Sequence, residues 1–249
     1  AFLIMKIDHI VVHIDNNEKI LNTLKDKVEP LGIPFEPTWG KGTKGFKAAN
    51  IWIGHQYFEI IRLLKSDGGG WEERWVEKYN QGRRGAFCLF LVIDDIASVA
   101  DRLKIKGVQI DGPKRLSFFA LSGLIKKILP WQLIYLPSIP GTDLEIGFIQ
   151  YDPDPKNKIK QYLVPNADEN GITGIHSAEI KLPITEDAKN FLMKIFPDAI
   201  ETNNAINVKT ENGSLAFRSS ESTRINLKAE KTSDSRTGEF SLENVTLSI

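Results

Sequence analysis

The sequence predicts an α+β protein assembled from tandem βαβββ modules. Two observations predict it. Residues 6–63 read as strand, helix and three short strands, in that order. The same order starts again near residue 86 and once more near residue 172. The segments between are rich in turn residues, Ser66-Asp67-Gly68-Gly69-Gly70 in one and Asp152-Pro153-Asp154-Pro155 in the other. The expected organisation is a module at 5–65, a linker at 66–85, a second module at 86–151, a linker at 152–171, and a divergent third βαβββ module at 172–249. In such an array, function lies where modules meet.

In the first module Ile10, Val12 and Ile14 alternate with His9, Val11 and His13, so the two sets face opposite sides of a strand. Asn16 or Asn17 is a candidate cap for a helix whose stripe is Ile20, Leu21, Leu24 and Val28. Pro30 and Gly32 stop that helix. Strands are expected at 34–39, 46–53 and 56–63. The last puts Tyr57, Glu59, Ile61 and Leu63 on one face.

The run Ala86-Phe87-Cys88-Leu89-Phe90-Leu91-Val92-Ile93 suits a strand buried on both faces. Asp94-Asp95 caps a helix with the stripe Ile96, Val99, Ala100 and Leu103. Strands are expected at 108–110, 131–136 and 144–150. Residues 118–131 are too long and too apolar for a turn. They read as a lid over a cleft, a homodimer contact, or a layer packed under the third module. In the third module Thr185-Glu186-Asp187 opens a helix, and 240–249 reads as a closing strand.

The chain has 249 residues, enough for a large core, and 32 basic residues balance 32 acidic ones. That balance argues against a protein built to grip nucleic acid. A single cysteine, Cys88, cannot form an internal disulfide, which points to a reducing cytoplasm. No apolar run approaches membrane-span length and no secretory signal is present. Met5 reads as a natural start, with residues 1–4 as an addition. There is no phosphate-binding glycine loop, dinucleotide fingerprint, nucleophile elbow or paired-cysteine zinc site.

The runs Asp8-His9-Ile10-Val11-Val12, Tyr57-Phe58-Glu59-Ile60-Ile61, Val92-Ile93-Asp94-Asp95-Ile96 and 103–113 resemble the vicinal oxygen chelate superfamily, the glyoxalase-like fold. The resemblance implies two modules paired in a curved mixed sheet around a cleft. It also implies a divalent metal in that cleft, held from the first and last strands of each module. Residue by residue those positions are His9, Glu59, Cys88 and Glu145, and Cys88 stands where the superfamily more often has His or Gln. In the third module the matching positions hold Ser177 and the run Ile225-Asn226-Leu227.

An imidazole and two carboxylates suit zinc, iron(II), manganese or nickel, and Glu59 or Glu145 would then serve as acid or base. His13 shares the face of His9. Arg83 suits a ligand carboxylate or phosphate, or is simply a solvated linker charge. Trp39 and Trp131 are cleft wall or core. Two readings stay open. One is an enzyme of lyase, isomerase or dioxygenase type acting on a small organic molecule. The other is a metal-free small-molecule binding protein of the same fold. An inactive scaffold is a third.

Overall fold

The computed structural model describes residues 4–40, 43–120, 125–154, 158–232 and 236–249. The first module contributes β1 (Met5–His13), α1 (Ile20–Val28), β2 (Phe46–Ile53) and β3 (Gln56–Leu63). Helix α1 buries Leu21, Leu24 and Val28, each worth about 1.5–3 kcal/mol of transfer free energy. Its cap is Lys19 rather than either asparagine. Asn17 instead uses its side chain one step earlier, accepting from the Lys19 N–H at 2.9 Å. The strand expected at 34–39 does not form. Pro34 and Pro37 carry no N–H for a ladder, and the segment is tied to β2 where Gly40 donates to the Ala48 carbonyl.

The connector carries α2 (Glu73–Asn80). The second module follows with β4 (Gly85–Ile93), α3 (Ile96–Ile105), β5 (Asp111–Lys114), β6 (Ser117–Ala120), β7 (Ile125–Ile128), β8 (Trp131–Ser138) and β9 (Glu145–Tyr151). Asp95 caps α3 by accepting from the Ser98 N–H at 3.0 Å. Residues 108–110 are not a strand; pairing begins at Asp111. Strands β6 and β7 form a hairpin outside the main sheet. In the apolar segment, Leu121 and Leu124 lie outside the described residues, and Ile128 at its edge is exposed.

The first sheet has the order β2-β3-β1-β4-β9-β8-β5. Strands β1 and β4 pair antiparallel at its centre, while β1 with β3 and β4 with β9 pair parallel. The two modules therefore share one mixed sheet.

The remainder holds β10 (Ile172–Leu182), α4 (Glu186–Ile195), β11 (Ile200–Thr202), β12 (Ala205–Lys209), β13 (Ser214–Ser219), β14 (Arg224–Lys231), β15 (Glu239–Leu242) and β16 (Val245–Ser248). Its sheet order is β11-β12-β13-β10-β14-β16-β15. The pairing repeats the first sheet: β10 with β13 parallel, β10 with β14 antiparallel, β14 with β16 parallel. So β10 to β13 make one βαβββ run, and β14 to β16 stand where a further module stands in the first sheet, with no described helix between β14 and β15.

One apolar core joins the two sheets. It contains Ile10, Val12, Phe58 and Leu89 from the first sheet, and Ile180, Phe217, Ile225 and Leu247 from the second. The Gln56 side chain crosses the seam, donating to the carbonyls of Ile7 and Ile175 and accepting from the Ile175 N–H. A second apolar cluster lies on the other face of the first sheet. There Val11, Ile61, Cys88, Phe90 and Tyr135 meet Trp75, Val76 and Tyr79 of α2. The candidate site is on this face.

Candidate functional site

Two rows of cross-strand neighbours define the site. One runs Trp52, Tyr57, His9, Phe90, Gly147, Tyr135 across β2, β3, β1, β4, β9 and β8. The next runs Asn50, Glu59, Val11, Cys88, Glu145, Ser138.

His9 is clamped in the first row. Its ring stacks on Tyr57 (4.5 Å, 8°) and on Phe90 (4.5 Å, 14°); such contacts are worth about 0.5–1.5 kcal/mol each. Gly147 makes the clamp possible, because a Cβ there would stand 2.3 Å from the Phe90 ring. Next to His9, the β1–β4 register slips between Ile7 and His9. Such a bulge re-aims the side chain of the extra residue. Asp8 thereby reaches its own neighbour, with Oδ2 2.5 Å from His9 Nδ1. Tyr151 donates its hydroxyl to the same carboxylate, 3.0 Å from Oδ2. With Nδ1 turned to Asp8, Nε2 faces Glu59 Oε2 at 3.7 Å.

Glu59 accepts no hydrogen bond among the described residues, and its side chain is 23% exposed. Burial pushes its carboxyl above the ordinary range; His9 opposes that shift and Asp8 adds to it. Asn50, directly opposite on β2, has a buried Oδ1 without a hydrogen-bond partner.

Glu145 is in a different state. It is buried, and its Oε2 accepts from Trp75 Nε1 at 2.9 Å while Oε1 accepts from Lys78 Nζ at 3.1 Å. Arg74 Nε lies 3.5 Å from Oε2. All three partners sit on α2, so the connector helix has filled this end of the face. Cys88 is fully buried, and burial raises its thiol pKa well above normal, with Glu145 adding to the effect.

The other candidates are spread out. His13 is buried beside α2: its ring stacks on Phe87 at 4.2 Å, and Nε2 accepts from Trp71 Nε1 at 2.9 Å. Burial, then the charges of Arg84 and Lys78, pull its pKa down to about 3. It stays uncharged at neutral pH. Trp131 lies on the site face, edge-on to Tyr151 at 5.9 Å. Trp39 packs against the core on the other side, where Arg62 lies over its ring at 4.6 Å. Arg83 is remote from His9. It pairs with Asp143 and lines an open depression of about 410 Å³ with Glu221 and Thr223.

Sequence reasoning missed Asp8, Tyr151, Asn50 and the part that the connector around Trp75 plays at the site. Asp8 was visible as the neighbour of His9, but regular alternation sends neighbours to opposite faces, and the bulge overrides it. Trp71 and Trp75 were the signal for α2: two large aromatics in a polar connector need a surface to cover.

The model of the family described as "Glyoxalase-like domain" matches residues 7–196. The chain belongs to that family. A hypothetical protein from Staphylococcus aureus has a similar fold over its whole length, with a TM-score of 0.69, 16% identity and 98% of each chain covered. Methylmalonyl-CoA epimerase from Mycobacterium tuberculosis aligns with 59% of this chain and 89% of its own, at 12% identity and a TM-score of 0.41. Hypothetical protein BH1468 from Bacillus halodurans C-125 aligns with 61% of this chain and 99% of its own, at 19% identity and 0.43. No curated protein matches significantly in sequence.

The superfamily often holds a divalent metal, and the donors present here do not fit one. Glu59 is in register with Val11 whereas Glu145 is in register with Cys88, so the two glutamates do not repeat one position relative to His9 and Cys88. Both Glu145 oxygens are engaged by α2. The Cys88 thiol is held far from the thiolate that binds metals. Among the described residues no three His, Cys, Asp or Glu side chains gather as a metal site. The arrangement is instead suited to proton transfer: a desolvated carboxylate facing an imidazole whose far side is fixed.

Proposed function

We propose that this chain binds a small organic molecule on the open part of the face around Glu59, and that Glu59 moves a proton on and off a carbon beside a carbonyl. The C–H electron pair would pass into the carbonyl as an enolate, and the proton would return from Glu59. The observation that carries this reading is the state of Glu59: desolvated, raised in pKa, without a hydrogen-bond donor, and facing His9 Nε2 at 3.7 Å. A raised carboxyl pKa brings a general base closer to working pH. Tyr151, Asp8 and the stacked rings act as positioning residues for the imidazole. Chemistry of this kind is that of an isomerase or lyase.

The test is deuterium incorporation from D2O into a panel of small carbonyl compounds, followed by NMR. Wild type should wash deuterium into a subset, and Glu59→Gln should abolish it at unchanged fold. Exchange that persists in Glu59→Gln would remove Glu59 from the chemistry.

A second reading, a binding protein without turnover, is favoured by one observation. Helix α2 lays Trp75 on Glu145, and Trp71, just ahead of the helix, packs against Trp75 at 5.7 Å, so this end of the face is covered by aromatic rings. Saturable binding by wild type with no exchange in any bound compound would support it.

A further inference from the structure

Arg74 is the cation of the site face whose hydrogen-bonding capacity is unspent. It projects from α2, with its guanidinium 4.9 Å from the ring of Tyr135 on β8. Its Nε and Nη2 are buried atoms that make no hydrogen bond. The nearest carboxylate oxygens stand at 3.4 Å (Glu72) and 3.5 Å (Glu145), and Glu145 already has Trp75 and Lys78. A second cation also lies near Tyr135, with Lys114 Nζ 4.8 Å from the same ring. The side chain as a whole is 31% exposed, so a group arriving from solvent can reach a guanidinium whose Nε and Nη2 have no hydrogen-bond acceptor.

We infer that the ligand of this face carries a carboxylate, and that Arg74 is the specificity-determining residue that receives it. The planar fork of an arginine matches a carboxylate in a way that a lysine does not. Asn50 supplies the complementary half. Its unpartnered, buried Oδ1 sits opposite Glu59 and accepts from a hydroxyl or N–H of the same molecule. Glu59 and Arg74 are joined across one aromatic patch: Arg74 lies over Tyr135, Tyr135 meets Phe90 edge-on at 5.7 Å, and Phe90 stacks on His9, which faces Glu59. The substrate class that fits is a small carboxylic acid with a carbonyl and a polar hydrogen. This rests on the reading of Glu59 as the proton-moving group only for the carbonyl; the carboxylate is argued from Arg74 alone.

The experiment is ligand-observed NMR with a matched panel of small keto and hydroxy acids and their primary amides. It uses the full chain, Arg74→Met and Arg74→Lys, with melting curves to verify folding. Acids should bind wild type and the amides should not. Arg74→Met should weaken acid binding about 10- to 100-fold, as expected for one charge-assisted pair, with Arg74→Lys in between. Amides binding as well as acids, acids binding a folded Arg74→Met unchanged, or no binding by either set would overturn the inference. Displacement of the acids by dilute inorganic phosphate would overturn it in favour of a phosphate ester. Acids that bind through Arg74 without deuterium exchange would remove the proton-transfer reading and leave this one standing.

Discussion

Trp75 donates its indole N–H to Glu145 at 2.9 Å, deep under the connector helix. This bond separates the two ends of the duplicated face. Glu59 and Glu145 occupy closing strands of sister modules, yet one faces His9 across 3.7 Å and the other is consumed by α2. The fold is duplicated and the chemistry is not.

Trp75→Phe keeps most of the ring and deletes the donor. Glu145 then loses one partner in a buried setting, which should cost about 1–3 kcal/mol. Urea unfolding of the variant beside wild type measures it. A change within about 0.3 kcal/mol would mean that Lys78 and Arg74 hold Glu145 without help.

His13 predicts an acid limb in the stability curve. Its folded pKa of about 3 lies below the ordinary 6.5. Between these values the unfolded chain takes up a proton that the folded chain refuses. Stability therefore falls as pH drops through that window, by about 5 kcal/mol at most. His13→Gln, which still offers Trp71 an acceptor, should shrink the stability difference between pH 7 and pH 4. An unchanged difference would show that other groups produce the limb.

Gly147 gives a geometric prediction. Gly147→Ala sets a methyl 2.3 Å from the Phe90 ring, and overpacking of this kind costs about 1–3 kcal/mol. Phe90 cannot yield without loosening its stack on His9. The variant should melt lower and lose deuterium exchange together; a melting point unchanged from wild type would mean the ring has room to move.

The donor set predicts that metals are dispensable. Protein purified without chelator should carry no stoichiometric divalent metal, and a chelator should leave melting and ligand binding unchanged. Stoichiometric zinc, iron, manganese or nickel that disappears in both His9→Ala and Glu59→Ala would contradict this.

The repeat was legible because strand alternation and helix stripes are local patterns: Ile10 and Val12 against His9 and His13, or Leu21, Leu24 and Val28 at helical spacing. His9 and Glu59 could be placed on one face by parity alone. Register could not. Glu59 pairs with Val11 while Glu145 pairs with Cys88, and a two-residue offset leaves no trace in either strand's pattern. The bulge that turns Asp8 toward His9 was hidden for the same reason. Nothing local in the connector revealed that Trp75 and Lys78 would be spent on Glu145. The strand expected at 34–39 had β character but two prolines, and the absence of donors decided it. The doubling within 172–249 was missed because no helix pattern marks the passage from β14 to β15.

The central claim is that Glu59 is an uncompensated carboxylate in a desolvated place. A folded-state pKa above 4.5 means that the folded chain holds the proton longer than the unfolded one, so the fold loses stability as pH rises from 4.5 through the folded value. The measurement that reaches this most directly is a carbon-detected NMR titration of the Glu59 side-chain carboxyl, assigned through Glu59→Gln. The account predicts a midpoint clearly above 4.5. A midpoint at or below that value would contradict it, because the carboxylate would then be as well served as any on the surface.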